Sequence, residues 1–287
     1  MSDSHHDDHD DFGGFRRDLV ATGAALNRRG MLRLGARFGA AFGALHLAGC
    51  GSSPTAPTAT ATTTAPVAVT TTTTTPPSTA TCARVPEETA GPYPGDGSNG
   101  PTVLTSSGVV RRDIRSSFAG LSGTAAGVPL TIDLTIVSAS SCAPLAGRAV
   151  YIWHCDREGR YSLYNAGVTN QNYLRGIQES DASGRVSFTS IYPACYAGRW
   201  PHIHFEVFPS ISSATSQNNK VATSQIALPK ATNDLVYSVA GYEQSVRNAA
   251  QVSLTSDMVF RDGSALELAT ITGSIEGGLT AALTVAV

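Results

Sequence analysis

Beyond Cys82 the chain alternates between apolar and polar positions. Leu130, Ile132, Leu134 and Ile136 are separated by Thr131, Asp133 and Thr135, a period of two that sends apolar side chains to one face of a strand. Short runs suited to strands recur at 150–153, 186–189, 202–208, 221–227, 252–260, 268–271 and 279–287. Turn-forming stretches divide them, as in Asp181-Ala182-Ser183-Gly184 and Arg261-Asp262-Gly263. Many short strands with turns between them predict an all-β fold, a single antiparallel β-sandwich domain over residues 82–287. Helix is expected only around 242–251, and the sequence shows neither an internal repeat nor a glycine-rich phosphate loop.

Residues 1–81 break this pattern and read as an address rather than a fold. His5, His6 and His9 lie among aspartates, a tract that fits a solvated leader better than a metal site. Asn27-Arg28-Arg29-Gly30-Met31-Leu32 precedes a short Gly/Ala-rich apolar stretch at 34–49, too brief for a stable transmembrane helix. The paired arginines resemble a twin-arginine export signal. Leu47-Ala48-Gly49-Cys50 resembles the lipobox of bacterial lipoproteins, in which cleavage precedes the cysteine and its thiol takes the lipid. Residues 51–81 hold 14 threonines in 31 positions and no charge. Such a segment lacks the large apolar side chains that offset chain entropy, so an extended tether is expected. The organisation expected is a signal at 1–49, a lipidated Cys50 with its tether to residue 81, and a folded domain at 82–287. The protein would be exported and extracytoplasmic, anchored to a bacterial membrane through Cys50 alone.

Charge and cysteine content refine this picture. Lys+Arg number 20 and Asp+Glu 22, a formal net charge of −2, and lysine occurs only at Lys220 and Lys230. No basic field is available to hold nucleic acid phosphates, so no nucleic acid partner is expected. No apolar run free of charge reaches the ~20 residues that span a bilayer, which sets aside a multispan membrane protein. Besides Cys50, the cysteines are Cys82, Cys142, Cys155 and Cys195. An even set in an exported chain reads as up to two disulfides with three connectivities. The preferred pairing is Cys82–Cys142 with Cys155–Cys195. No C-x-x-C spacing points to a zinc knuckle.

Histidine is scarce in the expected domain, at His154, His202 and His204. In Pro201-His202-Ile203-His204-Phe205-Glu206-Val207-Phe208, strand geometry puts both histidines on one face, and Ile203, Phe205 and Val207 on the other. Two imidazoles so placed make half of a metal site. A structural pair explains the same string, and a non-enzymatic β-sandwich surface lipoprotein with an adventitious H-x-H metal site is the alternative. A copper or zinc enzyme using the same face is a further one. A cupin-type site would need a glutamate where Phe208 stands. A facial triad could use Glu206 by spacing but finds no suitable further histidine. Tyrosines are abundant upstream, at Tyr161, Tyr164, Tyr173, Tyr192 and Tyr196. Phenolate is a hard anionic ligand that favours ferric iron over zinc or copper. Two phenolates with two neutral imidazoles would leave Fe(III) one net positive charge and an open position.

Trp153-His154-Cys155-Asp156-Arg157-Glu158-Gly159-Arg160-Tyr161 resembles the W-x-x-D-x-x-G-x-Y segment of the intradiol ring-cleavage dioxygenases. Tyr173-Leu174-Arg175-Gly176, Asp181-x-x-Gly184 and Pro193-x-x-Tyr196-x-x-Arg199-x-x-His202-Ile203-His204 continue that family's order and spacing. Thr89-Ala90-Gly91-Pro92-Tyr93 resembles its entry segment, and Arg112-Asp113-Ile114-Arg115 its pre-strand turn. The similarity spans about residues 82–287.

The resemblance implies Fe(III) held by Tyr161, Tyr196, His202 and His204. Tyr196 would be the axial tyrosinate that leaves when a catechol binds through both oxygens, while Tyr161 stays. Arg199 would stabilise negative charge developing on the substrate, and Gln225 would line the pocket. The reaction implied uses O2 to cleave a catechol-type ring between its two hydroxylated carbons, giving a muconate-type diacid. His154 and Tyr164 carry no ligand role by this match, and Tyr151, Tyr173, Tyr192 and Trp153 are expected to pack. Two departures stand out. The tether occupies the place of the helical N-terminal dimerisation region found in the catechol-specific branch. Pro193-Ala194-Cys195-Tyr196 differs from the glycine and aromatic residue usual before the axial tyrosine, which bears on substrate identity.

Overall fold

In the computed structural model, which describes residues 82–287, the alternating segment forms strand β1 (Pro129–Val137). Leu130, Ile132, Leu134 and Ile136 are no more than 1 % exposed, whereas Thr131, Asp133 and Thr135 are half-buried. The other strands are β2 (Ala149–Trp153), β3 (Arg175–Glu179), β4 (Arg185–Ile191), β5 (His202–Phe208), β6 (Ala222–Ala227), β7 (Thr270–Ser274) and β8 (Gly278–Ala286). They make two four-stranded sheets, ordered β4-β1-β8-β7 and β3-β2-β5-β6. Between the sheets lies one apolar cluster joining Leu130, Ile132 and Phe188 to Val150, Ile203, Phe205, Val207 and Ile226. Phe205 is fully buried there; truncating such a side chain to alanine costs ~3–5 kcal/mol. The expected all-β sandwich is present. The signal and tether expected at 1–81 lie outside the described residues. Among the described residues no helix is long and apolar enough to cross a membrane.

All seven residues of β5 are buried, not every second one. A second apolar cluster, including Phe118, Tyr151, Trp153, Tyr161, Ile177 and Phe208, covers the face of its sheet turned away from the sandwich core. The covered outer face of β2 and β5 is where the candidate site lies.

The structure corrects several expectations. The first sheet is mixed, because β1 runs antiparallel to β4 but parallel to β8. Residues 252–260 form turns leading to a 3-10 turn (Phe260–Asp262) and not a strand. Ser253 Oγ accepts from Ser256 N at 3.2 Å and Asp257 Oδ1 from Val259 N at 2.8 Å. Such local bonds compete with a sheet ladder. Two helices, α1 (Lys230–Val236) and α2 (Glu243–Ala249), follow β6, of which only α2 matches the helix expected at 242–251. Strand β3 lacks alternation but forms by pairing with β2 from Arg175 to Glu179. Of the two preferred disulfides, Cys82–Cys142 is present with Cα atoms 5.2 Å apart, inside the usual range. Cys155 and Cys195 are instead free and buried. Their thiols point to separate carbonyls, Cys155 Sγ to Ala194 O at 3.6 Å and Cys195 Sγ to Arg199 O at 3.3 Å.

Candidate active site

Strand alternation places His202 and His204 on the covered outer face, opposite Ile203 and Phe205 in the core. His202 Nδ1 donates to Trp200 O at 2.5 Å, which leaves Nε2 as the ring's lone-pair nitrogen. His204 pairs with Trp153 across β2 and stacks on its indole, with ring centroids 4.8 Å apart and planes 5° from parallel. The two Nε2 atoms are 3.1 Å apart.

Tyr161 reaches this pair from the loop after β2, and the spacing of its motif has a physical basis. Asp156 Oδ1 accepts from Glu158 N at 3.0 Å and Arg160 N at 2.9 Å, and Oδ2 accepts from Tyr173 Oη at 3.0 Å. The tight turn so made needs Gly159 at φ 84°, where a Cβ would lie 3.2 Å from Tyr196 Cβ. Tyr161 N donates to Asn165 Oδ1 at 2.7 Å, fixing the residue at the loop's end. Its Oη lies 3.4 Å from His202 Nε2. Tyr196 Oη comes to 3.3 Å from the same nitrogen, carried by a turn in which Gly198 has φ 82°.

Four potential donors thus converge, Tyr161 and the imidazoles buried and Tyr196 half-buried. Ligands bound at about 2.0–2.1 Å to one metal lie roughly 3.0–3.4 Å from each other. The separations of 3.1, 3.3 and 3.4 Å fit that requirement. Burial pushes both histidines well below the ordinary imidazole range, so both rings are neutral and able to coordinate. Burial also drives the Tyr161 phenol well up, and Arg199 works against this. With both imidazoles neutral and the Tyr161 phenol protonated, negative charge arises at Tyr161 only as a cation replaces its phenolic proton. The residues fit a trivalent hard metal. The buried His204 Nδ1 has no hydrogen-bond partner among the described residues.

Arg199 and Gln225 are both brought to the edge of this set. Gln225 stands directly opposite His204 in the β5–β6 register. Arg199, with no exposed surface, donates from Nη2 to Gln225 Oε1 at 2.7 Å. Gln225 Nε2 donates to Thr89 O at 2.9 Å, tying the Thr89–Tyr93 stretch to the site. Tyr93 lies with its ring centroid 4.9 Å from that of Tyr161. Glu206 shares the histidines' face but is held by Lys220 Nζ at 2.7 Å. Burial raises its carboxyl to about 7. His154 bonds Ser190 Oγ at 2.7 Å and Cys155 O at 2.7 Å. Tyr164 Oη accepts from Gly95 N at 2.9 Å. Neither His154 nor Tyr164 joins the donors.

Two buried charged residues around the site, Arg175 and Asp257, were given no role by the sequence. Arg175, 1 % exposed, uses all its donors on neutral oxygens. Nε bonds Ser162 Oγ, Nη1 bonds Pro94 O and Tyr151 Oη, and Nη2 bonds Tyr93 O and Ser162 O, at 2.7–3.2 Å. It clamps the entry segment to the residue following Tyr161. Its signal was an arginine between Leu174 and Ile177 in the quoted motif. Asp257 is fully buried and pairs with Arg199 Nε at 3.0 Å.

Comparison with known proteins shows the family and the fold. The family model described as Dioxygenase matches residues 100–253, more than half of the chain. The chain belongs to this family, the intradiol ring-cleavage dioxygenases, enzymes that open catechol-type rings. Among solved structures it is similar to an intradiol ring-cleavage dioxygenase from Tetranychus urticae, at 25% identity and TM-score 0.55, over 71% of this chain and 94% of that one. A second solved dioxygenase superposes with TM-score 0.57 at 24% identity over 71% of this chain and 94% of its own, and shows the same fold. No curated protein matches in a sequence search. Family membership sets aside the non-enzymatic surface lipoprotein.

Proposed function

We propose that this chain is an Fe(III)-dependent intradiol dioxygenase that uses O2 to cleave a catechol-type ring between its two hydroxylated carbons, releasing a muconate-type diacid. The observation that carries the reading is the convergence of Tyr161 Oη, Tyr196 Oη and His204 Nε2 within 3.4 Å of His202 Nε2. Ferric iron bound there supplies Lewis acidity, drawing electron density from a catecholate and making its ring reactive toward O2.

The chain's own residues account for the rest. Tyr161, 1 % exposed and fixed through its backbone, is the tyrosine that stays. Tyr196, half-buried on a glycine turn, would be the ligand able to yield its position, and its oxygen would take a proton from a catechol hydroxyl. Arg199 presents a fixed positive charge where the opening ring becomes negative, and Gln225 holds Nη2 in place. Trp153, fully buried and stacked on His204, keeps water from the imidazole face. Metal analysis with the visible spectrum tests the assignment. About one iron per chain and a red tyrosinate-to-iron charge-transfer colour are expected. A colourless protein that fills with zinc would overturn it.

The same proposal places the enzyme outside the cytoplasm, with residues 1–49 as a twin-arginine signal, Cys50 as the lipidated residue and 51–81 as the tether. Two features support this: Arg28-Arg29 precedes the apolar stretch ending at Cys50, and the Cys82–Cys142 bond is of a kind that persists in oxidising compartments.

A further inference from the structure

Asp257 lies in the turns between α2 and β7, and each of its oxygens is doubly engaged. Oδ1 accepts from Val259 N at 2.8 Å and Phe260 N at 3.2 Å, which anchors the carboxylate to its own loop. Oδ2 accepts from Trp200 N at 2.6 Å and from Arg199 Nε at 3.0 Å. The first pair of bonds would be explained by a loop staple. The Arg199 bond would not, because it spends a buried charge on one edge of a guanidinium. With Nε bonded to Asp257, the guanidinium directs Nη2 to Gln225 Oε1 at 2.7 Å. A buried arginine without this partner would face a large desolvation cost and turn toward solvent.

We infer that Asp257 is the positioning residue for Arg199, holding the guanidinium at the edge of the donor set where it meets the bound ring. The inference rests on the catechol-cleaving reading above. Asp257 itself touches neither substrate nor metal; its effect passes through Arg199. Its position is 58 residues further along the chain, so the aromatic-ring chemistry of β5 depends on a carboxylate delivered by a turn outside both sheets.

The test uses the iron-loaded full chain, catechol as probe and oxygen uptake as readout, in a cycle of Asp257→Asn, Arg199→Ala and the double variant. Asp257→Asn is expected to keep its iron and colour and to bind catechol anaerobically with the wild-type spectral shift, while kcat falls about 10- to 100-fold. Asp257→Glu, which restores the charge, is expected to recover part of that loss. In the Arg199→Ala background Asp257→Asn should change kcat less than about threefold, since no guanidinium remains to be positioned. Wild-type kcat in Asp257→Asn, or an equal loss in both backgrounds, overturns the inference. Should Asp257→Asn not fold, Asp257→Glu takes its place in the cycle. Loss of iron by both variants overturns the inference too, by making Asp257 a structural anchor. Failure of the underlying reading is seen separately, as a wild-type protein with no colour and no oxygen uptake.

Discussion

His204 on β5 stands directly opposite Gln225 on β6, so one strand pair carries both an imidazole of the donor set and the amide that receives Arg199 Nη2. The charge and the proposed metal are thereby held from the two sides of one rung of the β5–β6 ladder, and they can be separated by substitution. An arginine cannot ligate, so its contribution comes through charge and hydrogen bonding. Arg199→Ala is expected to keep its iron and colour and still bind catechol with a spectral shift. Its turnover should fall by roughly 10²–10³, the usual effect of removing one preorganised donor. Arg199→Lys should recover only part, because a point charge lacks the planar fork. Steady-state kinetics with iron analysis of each variant checks this.

Tyr161 and Tyr164 are three residues apart and both buried in part or whole, yet only Tyr161 meets His202. Tyr164 is spent on Gly95 N at 2.9 Å. Tyr161→Phe and His204→Ala are each expected to bleach the red colour and abolish turnover. Tyr164→Phe should retain both. Absorbance and iron content of the three purified variants decide the matter.

Much of this site was legible because its elements are local. The alternation of His202 to Phe208 gives a strand with two histidines on one face, and that strand is present with those bounds. The Asp156-x-x-Gly159-x-Tyr161 spacing encodes one tight turn, whose backbone bonds to Asp156 Oδ1 close within four residues. Asp257 and Arg175 were not legible, because their partners at Arg199 and at Tyr93–Pro94 are distant in the sequence. Val252, Leu254 and Met258 space out like a strand, but they pack around Trp200 and Phe260 while Ser253 and Asp257 bind their own backbone. The cysteine count admitted a Cys155–Cys195 bond; the directions of the two thiols, which a count does not carry, exclude it. The parallel pairing of β1 with β8 was equally hidden, since periodicity gives a strand's faces but not its partner's direction.

His154 gives the protein an acid-sensitive element. Burial lowers its pKa from 6.5 to about 4, so the folded state prefers the neutral ring and the unfolded chain takes up the proton first. Its contribution is complete above pH 6.5 and is lost as pH falls toward about 4, a change of about 3 kcal/mol. Glu206, raised from 4.5 to about 7 by burial, acts in the opposite sense: stability declines as pH rises through that window. The comparison of wild type with His154→Gln isolates the histidine. The stability difference between the two should shrink or reverse by about 3 kcal/mol between pH 7 and pH 4, measured by urea unfolding. A constant difference would rule the histidine out.

Export can be checked independently of catalysis. Arg28→Lys with Arg29→Lys should leave the precursor inside the cell, because a twin-arginine route is expected to require the pair. Cys50→Ala should release the protein from the membrane fraction or leave it unprocessed. Membrane association unchanged in Cys50→Ala would refute lipid anchoring at that residue.

The most direct measurement of the central claim is the product formed by the iron-loaded protein from catechol under 18O2. Cleavage between the hydroxylated carbons should give a muconate-type diacid carrying both labelled oxygen atoms, read by mass spectrometry. A ring-opened semialdehyde, cut beside rather than between the hydroxyl carbons, or a diacid lacking one of the labels, would contradict it.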